Sequence, residues 1–182
     1  MKYLIASDLH GSYHYGELLI ARFIKEKADL IILLGDLLYH GARNSLPDEY
    51  DTIALTRLLN GYKESVFAVR GNCDSEVDQM VLEFPIMADY NQMYVDGRQW
   101  ILTHGHLFDE HSMVPHRKGA VLLHGHTHVK VMEKCSDFYY MNPGSVSIPK
   151  DDGTHSYMIY ENGVFTLKDV EDGREIRSFK LA

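Results

Sequence analysis

Cysteine is nearly absent: only Cys73 and Cys135 occur in 182 residues. Two cysteines cannot build a disulfide framework, and neither has a neighbour at the spacing of a structural zinc site, so reduced thiols are expected. Long apolar runs are missing as well. No stretch approaches the ~20 residues that a membrane span requires, and the first strand begins without a basic leader or a small-residue cleavage site. A cytoplasmic protein without membrane attachment is the expectation. Clustered positive charge is the third absence. The 18 Lys and Arg face 26 Asp and Glu, and a net charge of −8 repels long nucleic acids in the absence of a basic patch. Internal repeats, low-complexity tracts and heptads are also lacking. With 45% apolar and 24% charged residues, the chain reads as one globular domain spanning residues 1–182.

Apolar periodicity divides the chain in two. Before residue 90, strands at 2–7, 30–34 and 66–69 alternate with helical patterns at 14–27 and 48–62, as in βαβ units. Ser75 and Asp78 suggest a capping box that starts a helix running to about residue 83. After residue 90, short strands dominate: 92–95, 98–103, 120–123, 137–141, 156–160, 164–169 and 175–181. Asp96-Gly97, Asn162-Gly163 and Asp172-Gly173 mark hairpin turns among them. An α/β class with two sheets face to face and helices outside follows from packing a β-rich half on an α/β half.

Five polar segments follow five of these apolar runs: Asp8-Leu9-His10, Gly35-Asp36, Gly71-Asn72, His104-Gly105-His106 and Gly125-His126-Thr127-His128. Strand ends are where open α/β sheets bind ligands. Asp, Asn and His together suit divalent cations of intermediate hardness, and seven such residues supply donors for two ions. Asp8 and His10 sit at i and i+2, a spacing that in extended chain puts both side chains on one face, where they could share an ion. His126 and His128 repeat that spacing and could serve one ion each. Asp36 is the bridging candidate, because a carboxylate has two oxygens and an imidazole has one free nitrogen. Asn72 adds a neutral carbonyl without adding charge.

This ordered set, Asp-x-His, Gly-Asp, Gly-Asn, His-Gly and Gly-His-x-His, resembles the calcineurin-like metallophosphoesterases over residues 8–128. The stretches from Gly71 to Met80 and from Asn142 to Lys150 look like the YfcE branch of small bacterial phosphodiesterases, which extends the likeness over nearly the whole chain. The resemblance implies a four-layer α/β/β/α sandwich with two packed mixed β-sheets flanked by helices. It also implies that Asp8, His10 and His128 hold one ion, that Asn72, His104 and His126 hold a second, and that Asp36 bridges. It selects His104 over His106 and leaves His106 and His124 in supporting roles. Mn²⁺ is the favoured ion, with Zn²⁺, Fe²⁺, Co²⁺ and Ni²⁺ also chemically suited. Relatives form dimers or tetramers, which makes a homo-oligomer an open expectation.

Such a centre hydrolyses phosphoesters with a metal-bridging hydroxide, since two ions about 3.5–4 Å apart acidify water and neutralise developing charge. Many members follow the Gly-Asn with a His that protonates the leaving group, oriented by an Asp three residues after the Gly-Asp carboxylate. Here Cys73 and Tyr39 hold those positions. Cys73 and His40 are the candidate replacement acids, and Arg43 is a candidate phosphate contact. The expected substrate is a small or activated phosphodiester with a good leaving group. The alternatives are a phosphomonoesterase of the same superfamily and a non-catalytic scaffold like the retromer subunit Vps29.

Overall fold

The computed structural model describes residues 1–182. Three parallel strands, β1 (Tyr3–Ala6), β2 (Leu30–Leu33) and β3 (Val66–Ala68), alternate with helices α1 (Tyr13–Glu26) and α2 (Thr52–Asn60). Ser12 caps α1 by accepting from the Tyr15 amide, and Lys27 ends the helix in a left-handed conformation. Helix α2 starts later than its periodicity suggests. Asp51 caps it by accepting from Ala54 N–H, while Tyr50 pairs with Ser12 in an isolated bridge that keeps the preceding chain out of the helix. Helix α3 (Glu76–Val81) carries the expected capping box of Ser75 and Asp78 and stops at Leu82, whose backbone is extended.

The later strands are β4 (Tyr90–Val95), β5 (Arg98–Thr103), β6 (Ala120–Leu123), β7 (Lys130–Lys134), β8 (Phe138–Pro143), β9 (Ser156–Glu161), β10 (Val164–Asp169) and β11 (Glu175–Lys180). They divide between two mixed sheets, ordered β11-β10-β9-β1-β2-β3 and β4-β5-β6-β8-β7. Strand β7 escapes the sequence reading. It is an edge strand paired only with β8, and just one of its five residues, Met132, is buried, so little hydrophobic pattern marks it.

Side chains from both inner faces form the central core, including Ile5, Ile32 and Leu34 against Trp100, Leu102 and Leu123. Period-two alternation sends Leu4, Ile31 and Leu33 to the other face of the first sheet, where α1 and α2 cover them with Tyr15, Leu19, Leu55 and Leu59. The outer face of the second sheet has no helix. Residues 104–119 cover Ile101, Leu122 and Tyr140 with Val114, Phe108 and Met113. Loop residues form the layer outside this sheet. Its turns are fixed locally, as where the Asp109 carboxylate accepts the amides of His111 and Ser112. No helix is long and apolar enough to cross a membrane.

Candidate metal centre

The C-terminal ends of β1, β2 and β3 meet those of β5 and β6 at one edge of the sandwich, and all five polar segments lie there. Asp8, His10, Asp36, His104 and His128 are each 3% exposed or less. His10 Nε2 lies 3.2 Å from His128 Nε2, and Asp8 Oδ1 lies 3.3 Å from His128 Nε2 and 3.6 Å from His10 Nε2. Asp36 Oδ2 stands between two groups, 3.7 Å from His10 Nε2 and 3.4 Å from His104 Nε2. Asn72 Oδ1 is 3.1 Å from His104 Nε2, and the His126 ring centre is 5.0 Å from that of His104. The structure thus gathers all seven donors named from the sequence.

They converge by a different route from the one expected. Asp8, His10, Asp36, His126 and His128 all have positive φ, between 49° and 64°. The i, i+2 pairs are not extended chain. They lie on turns beyond the strand ends, where the left-handed conformation aims the side chains inward at a cost of about 1–2 kcal/mol per residue.

Chemistry of the donor set decides whether a cation fits. The Nδ1–H groups of His10, His104 and His128 donate to the carbonyls of Tyr39, Leu34 and Ile148 at 2.9, 2.7 and 2.6 Å. A neutral ring with its proton fixed on Nδ1 presents a lone pair at Nε2. Lone pairs of His10 and His128 therefore face each other, beside an Asp8 Oδ1 that is buried without a hydrogen-bond partner. Such an arrangement of acceptors is stable only around a positive charge, and these residues fit a divalent ion. Without metal, protons take its place. Burial disfavours charge on His104, yet the Asp36 and Asp8 carboxylates outweigh it and raise the imidazole to about 9. Burial likewise opposes ionisation of Asp8, but the imidazoles of His10, His128 and His104 hold its carboxyl well below the usual range. Burial and the neighbouring His104 charge push His126 down.

Several supporting groups went unread in the sequence. Buried Asp74 accepts the amides of Gly71, Asp36 and Leu37 at 2.7, 2.9 and 2.8 Å, tying the β2 and β3 ends together. Burial pushes its carboxyl up to about 6 despite those three donors. Ser145 and Ser147 donate to the Asp8 carbonyl at 2.8 and 2.9 Å, and Asn142 donates to the Gly125 carbonyl at 2.9 Å. The run from Asn142 to Ser147 entered the sequence reading only as a likeness, and its short polar residues after a buried strand were the available signal. A Cβ on Gly71 would collide with the Asp36 carboxylate, which explains the Gly before Asn72.

The donors open into a cleft of about 740 Å³, lined also by Tyr39, Arg43, Cys73 and Lys150. The Cys73 amide donates to Asp36 Oδ1 at 2.8 Å, and its sulfur lies 3.2 Å from Asn72 Nδ2. Burial and the Asp36 carboxylate push the thiol up to about 12. His40 does not line the cleft. Its ring packs edge-on against Tyr39 and Tyr50, 4.7 and 5.4 Å away between centres. His124 supports the centre from behind, with Nδ1 at 3.0 Å from the Gly125 carbonyl and Nε2 at 3.0 Å from Glu110.

The family model of the calcineurin-like phosphoesterase superfamily domain matches residues 1–163. The chain belongs to that superfamily. Phosphodiesterase YfcE of Escherichia coli K12 is 42% identical over 172 residues, covering 94% of each chain. The structure of the E. coli phosphoesterase Yfce matches with a TM-score of 0.97 and 41% identity over 100% of both chains. Vps29 of Entamoeba histolytica in complex with Zn²⁺ shares the fold alone, with a TM-score of 0.65 at 18% identity over 100% of both chains. As a calcineurin-like phosphoesterase, the protein is a metal-dependent hydrolase of phosphoesters, and the buried donor cluster is its candidate metal centre.

Proposed function

We propose that this protein is a binuclear metal-dependent phosphodiesterase acting on a small or activated diester. The observation that carries the reading is the arrangement of acceptors: three imidazole lone pairs and the unpartnered Asp8 oxygen surround Asp36, which faces both groups. Asp8, His10 and His128 would hold one ion and Asn72, His104 and His126 the other, with Asp36 shared; Mn²⁺ is favoured. Bound ions would supply Lewis-acid neutralisation of phosphoryl charge and acidify a water.

The chain's own contribution is orientation. Three carbonyls fix the imidazole tautomers, Asp74 fixes the turns that bear Asp36 and Asn72, and Arg43 and Lys150 bring positive charge to an otherwise acidic protein's cleft. Cys73 stands where a leaving-group acid is expected, and a thiol held near 12 is a weak acid. A diester with a good leaving group needs little protonation, and it carries one charge fewer than an ionised monoester. Both considerations favour activated diesters over alkyl monoesters.

The test is hydrolysis of bis(p-nitrophenyl) phosphate by the Mn²⁺-loaded protein beside alkyl phosphate monoesters under matched conditions. Faster turnover of the diester is expected; equal or greater monoesterase activity refutes the preference. Hydrolysis, rather than metal binding, separates an enzyme from a scaffold, because a Vps29 chain of this fold also holds Zn²⁺. In the same assay Cys73→Ser asks whether the thiol acts as an acid: a pH–rate profile identical to the parent's excludes it.

A further inference from the structure

Beside the metal cleft runs a second groove of about 450 Å³, mostly apolar, that the proposed chemistry leaves unused. Helix α2 turns Leu55 and Leu59 into the core, which places Ile53, Thr56 and Arg57 at i, i+3 and i+4 on its outer face, along the groove. Helix α3 faces them with Val77 and Val81, again one turn apart. These aliphatic side chains are not core: Ile53 is 65% and Val77 67% exposed. Leu38 and Tyr50 complete the wall, and Tyr39 borders both the groove and the metal cleft. Ser75 lines the cleft and Val77 the groove, so the start of α3 also runs along both. The two spaces are neighbours that share the exposed Tyr39.

This adjacency argues for what covers the apolar face. A molecule whose phosphorus sits at the donors has its ester groups within reach of Tyr39. A monoester has only its departing group to place, whereas a diester carries a second one. Arg57 and Asp78 at the groove offset each other's charge, so an ionic substituent gains nothing there. Two tyrosine rings and flanking aliphatics suit a planar ring, which stacks and buries apolar area together. Resting on the phosphodiesterase reading, we infer that the groove is a subsite for the second ester group of the substrate, and that this group carries a planar aromatic ring seated against Tyr39 and Tyr50. Tyr39, which replaces the family's acid-orienting Asp, is then a specificity-determining residue.

The experiment holds the leaving group constant and varies the other ester. Methyl, phenyl and thymidine 5′ esters of p-nitrophenyl phosphate all release p-nitrophenolate, and dividing each kcat/KM by the rate of the same ester's uncatalysed hydrolysis cancels both leaving-group and spectator-group electronics from their ratios. With the Mn²⁺-loaded protein, kcat/KM so divided for the phenyl or the thymidine ester is expected to exceed that for the methyl ester by about tenfold, mainly through KM. A preference for phenyl identifies a simple aryl group and a preference for thymidine a nucleobase; either supports the subsite. Ile53→Asn and Val77→Asn, both at exposed positions and compatible with folding, are expected to bring the ratio to about one. Methyl-ester hydrolysis without ring preference, or a preference unchanged by both substitutions, overturns the subsite while leaving the phosphodiesterase reading intact. A smaller native mass in both variants at an unchanged ratio also overturns it, assigning the groove to a second copy of the chain. No p-nitrophenolate from any of the three overturns both.

Discussion

Left-handed backbone appears in two regions of this molecule with opposite consequences. At the Asp96-Gly97 and Asn162-Gly163 hairpins, φ is positive at both residues of each pair, between 49° and 81°, and Asp96, Gly97 and Asn162 are exposed. There the conformation matches the twist of the two paired strands, and nothing else is asked of it. At the strand-end rim the same conformation occurs at Asp8, His10, Asp36 and His128, which are buried, and at the partly buried His126. Here Asp8, His10, Asp36 and His128 aim acceptors at other acceptors. The hairpins are self-sufficient, whereas the rim depends on a cation, or on protons in its absence.

Four measurements break or sharpen that contrast. The largest effect is expected from Asp36→Asn, which removes the carboxylate that faces both donor groups. Loss of several kcal/mol of transition-state stabilisation corresponds to a fall on the order of a thousandfold in kcat/KM for bis(p-nitrophenyl) phosphate. A fall of less than about tenfold would show that the two groups do not share Asp36.

Metal is expected to stabilise the rim next most strongly. Mn²⁺ at about one hundred times its Kd contributes ~2.7 kcal/mol, a rise of roughly 5–11 °C in Tm for a chain of this size by scanning calorimetry. Chelation should reverse the shift, and an unchanged Tm would contradict the rim's dependence on a cation.

Gly163→Ala probes the other region. Nothing lies within 4 Å of the added Cβ, so its cost is conformational only, about 1–2 kcal/mol in urea unfolding at φ 81°. The Mn²⁺-dependent rise in Tm should be the same as in the parent, because the hairpin and the rim share no donor.

The fourth measurement is of pH. His104 is raised to about 9 in the metal-free protein, so its contribution to stability is complete below pH ~6.5 and is lost as pH climbs through 9. Asp8 and Asp36 are lowered, so theirs is present above pH ~4 and is lost only on acidification through their folded values. Metal-free Tm is therefore expected to decline between pH 6.5 and 9. The gap between metal-loaded and metal-free Tm should widen over the same interval; a constant gap would remove His104 from the proton count.

The hairpins also show what a sequence makes legible. Asn162-Gly163 names its own turn, because few dipeptides tolerate positive φ twice. The five rim segments were readable for another reason: each follows an apolar run, and their side chains form one ligand vocabulary. Their left-handed conformation was not readable, since Asp and His adopt it only where the tertiary structure imposes it. The partners of the β1–β3 sheet were equally hidden. Residues 156–180 look like any hairpin series, and only packing puts β9 beside β1, with Tyr3 opposite Tyr160. Asp74 and Asn142 stayed silent because their work is done on backbone amides and carbonyls, which have no letter in a sequence.

Four of the ligand supports, Asn142, Ser145, Ser147 and Ile148, lie later in the chain than all seven donors, and this sets an order of maturation during synthesis. Residue 128 completes the set of seven donors. The carbonyl that fixes the His128 tautomer belongs to Ile148, and the hydroxyls holding the Asp8 carbonyl belong to Ser145 and Ser147. Asp8 waits about 140 residues of synthesis for them, roughly 7 to 28 s at ordinary elongation rates. A growing chain thus carries all seven candidate donors for a time before it carries the residues that hold Asp8 and His128 in place.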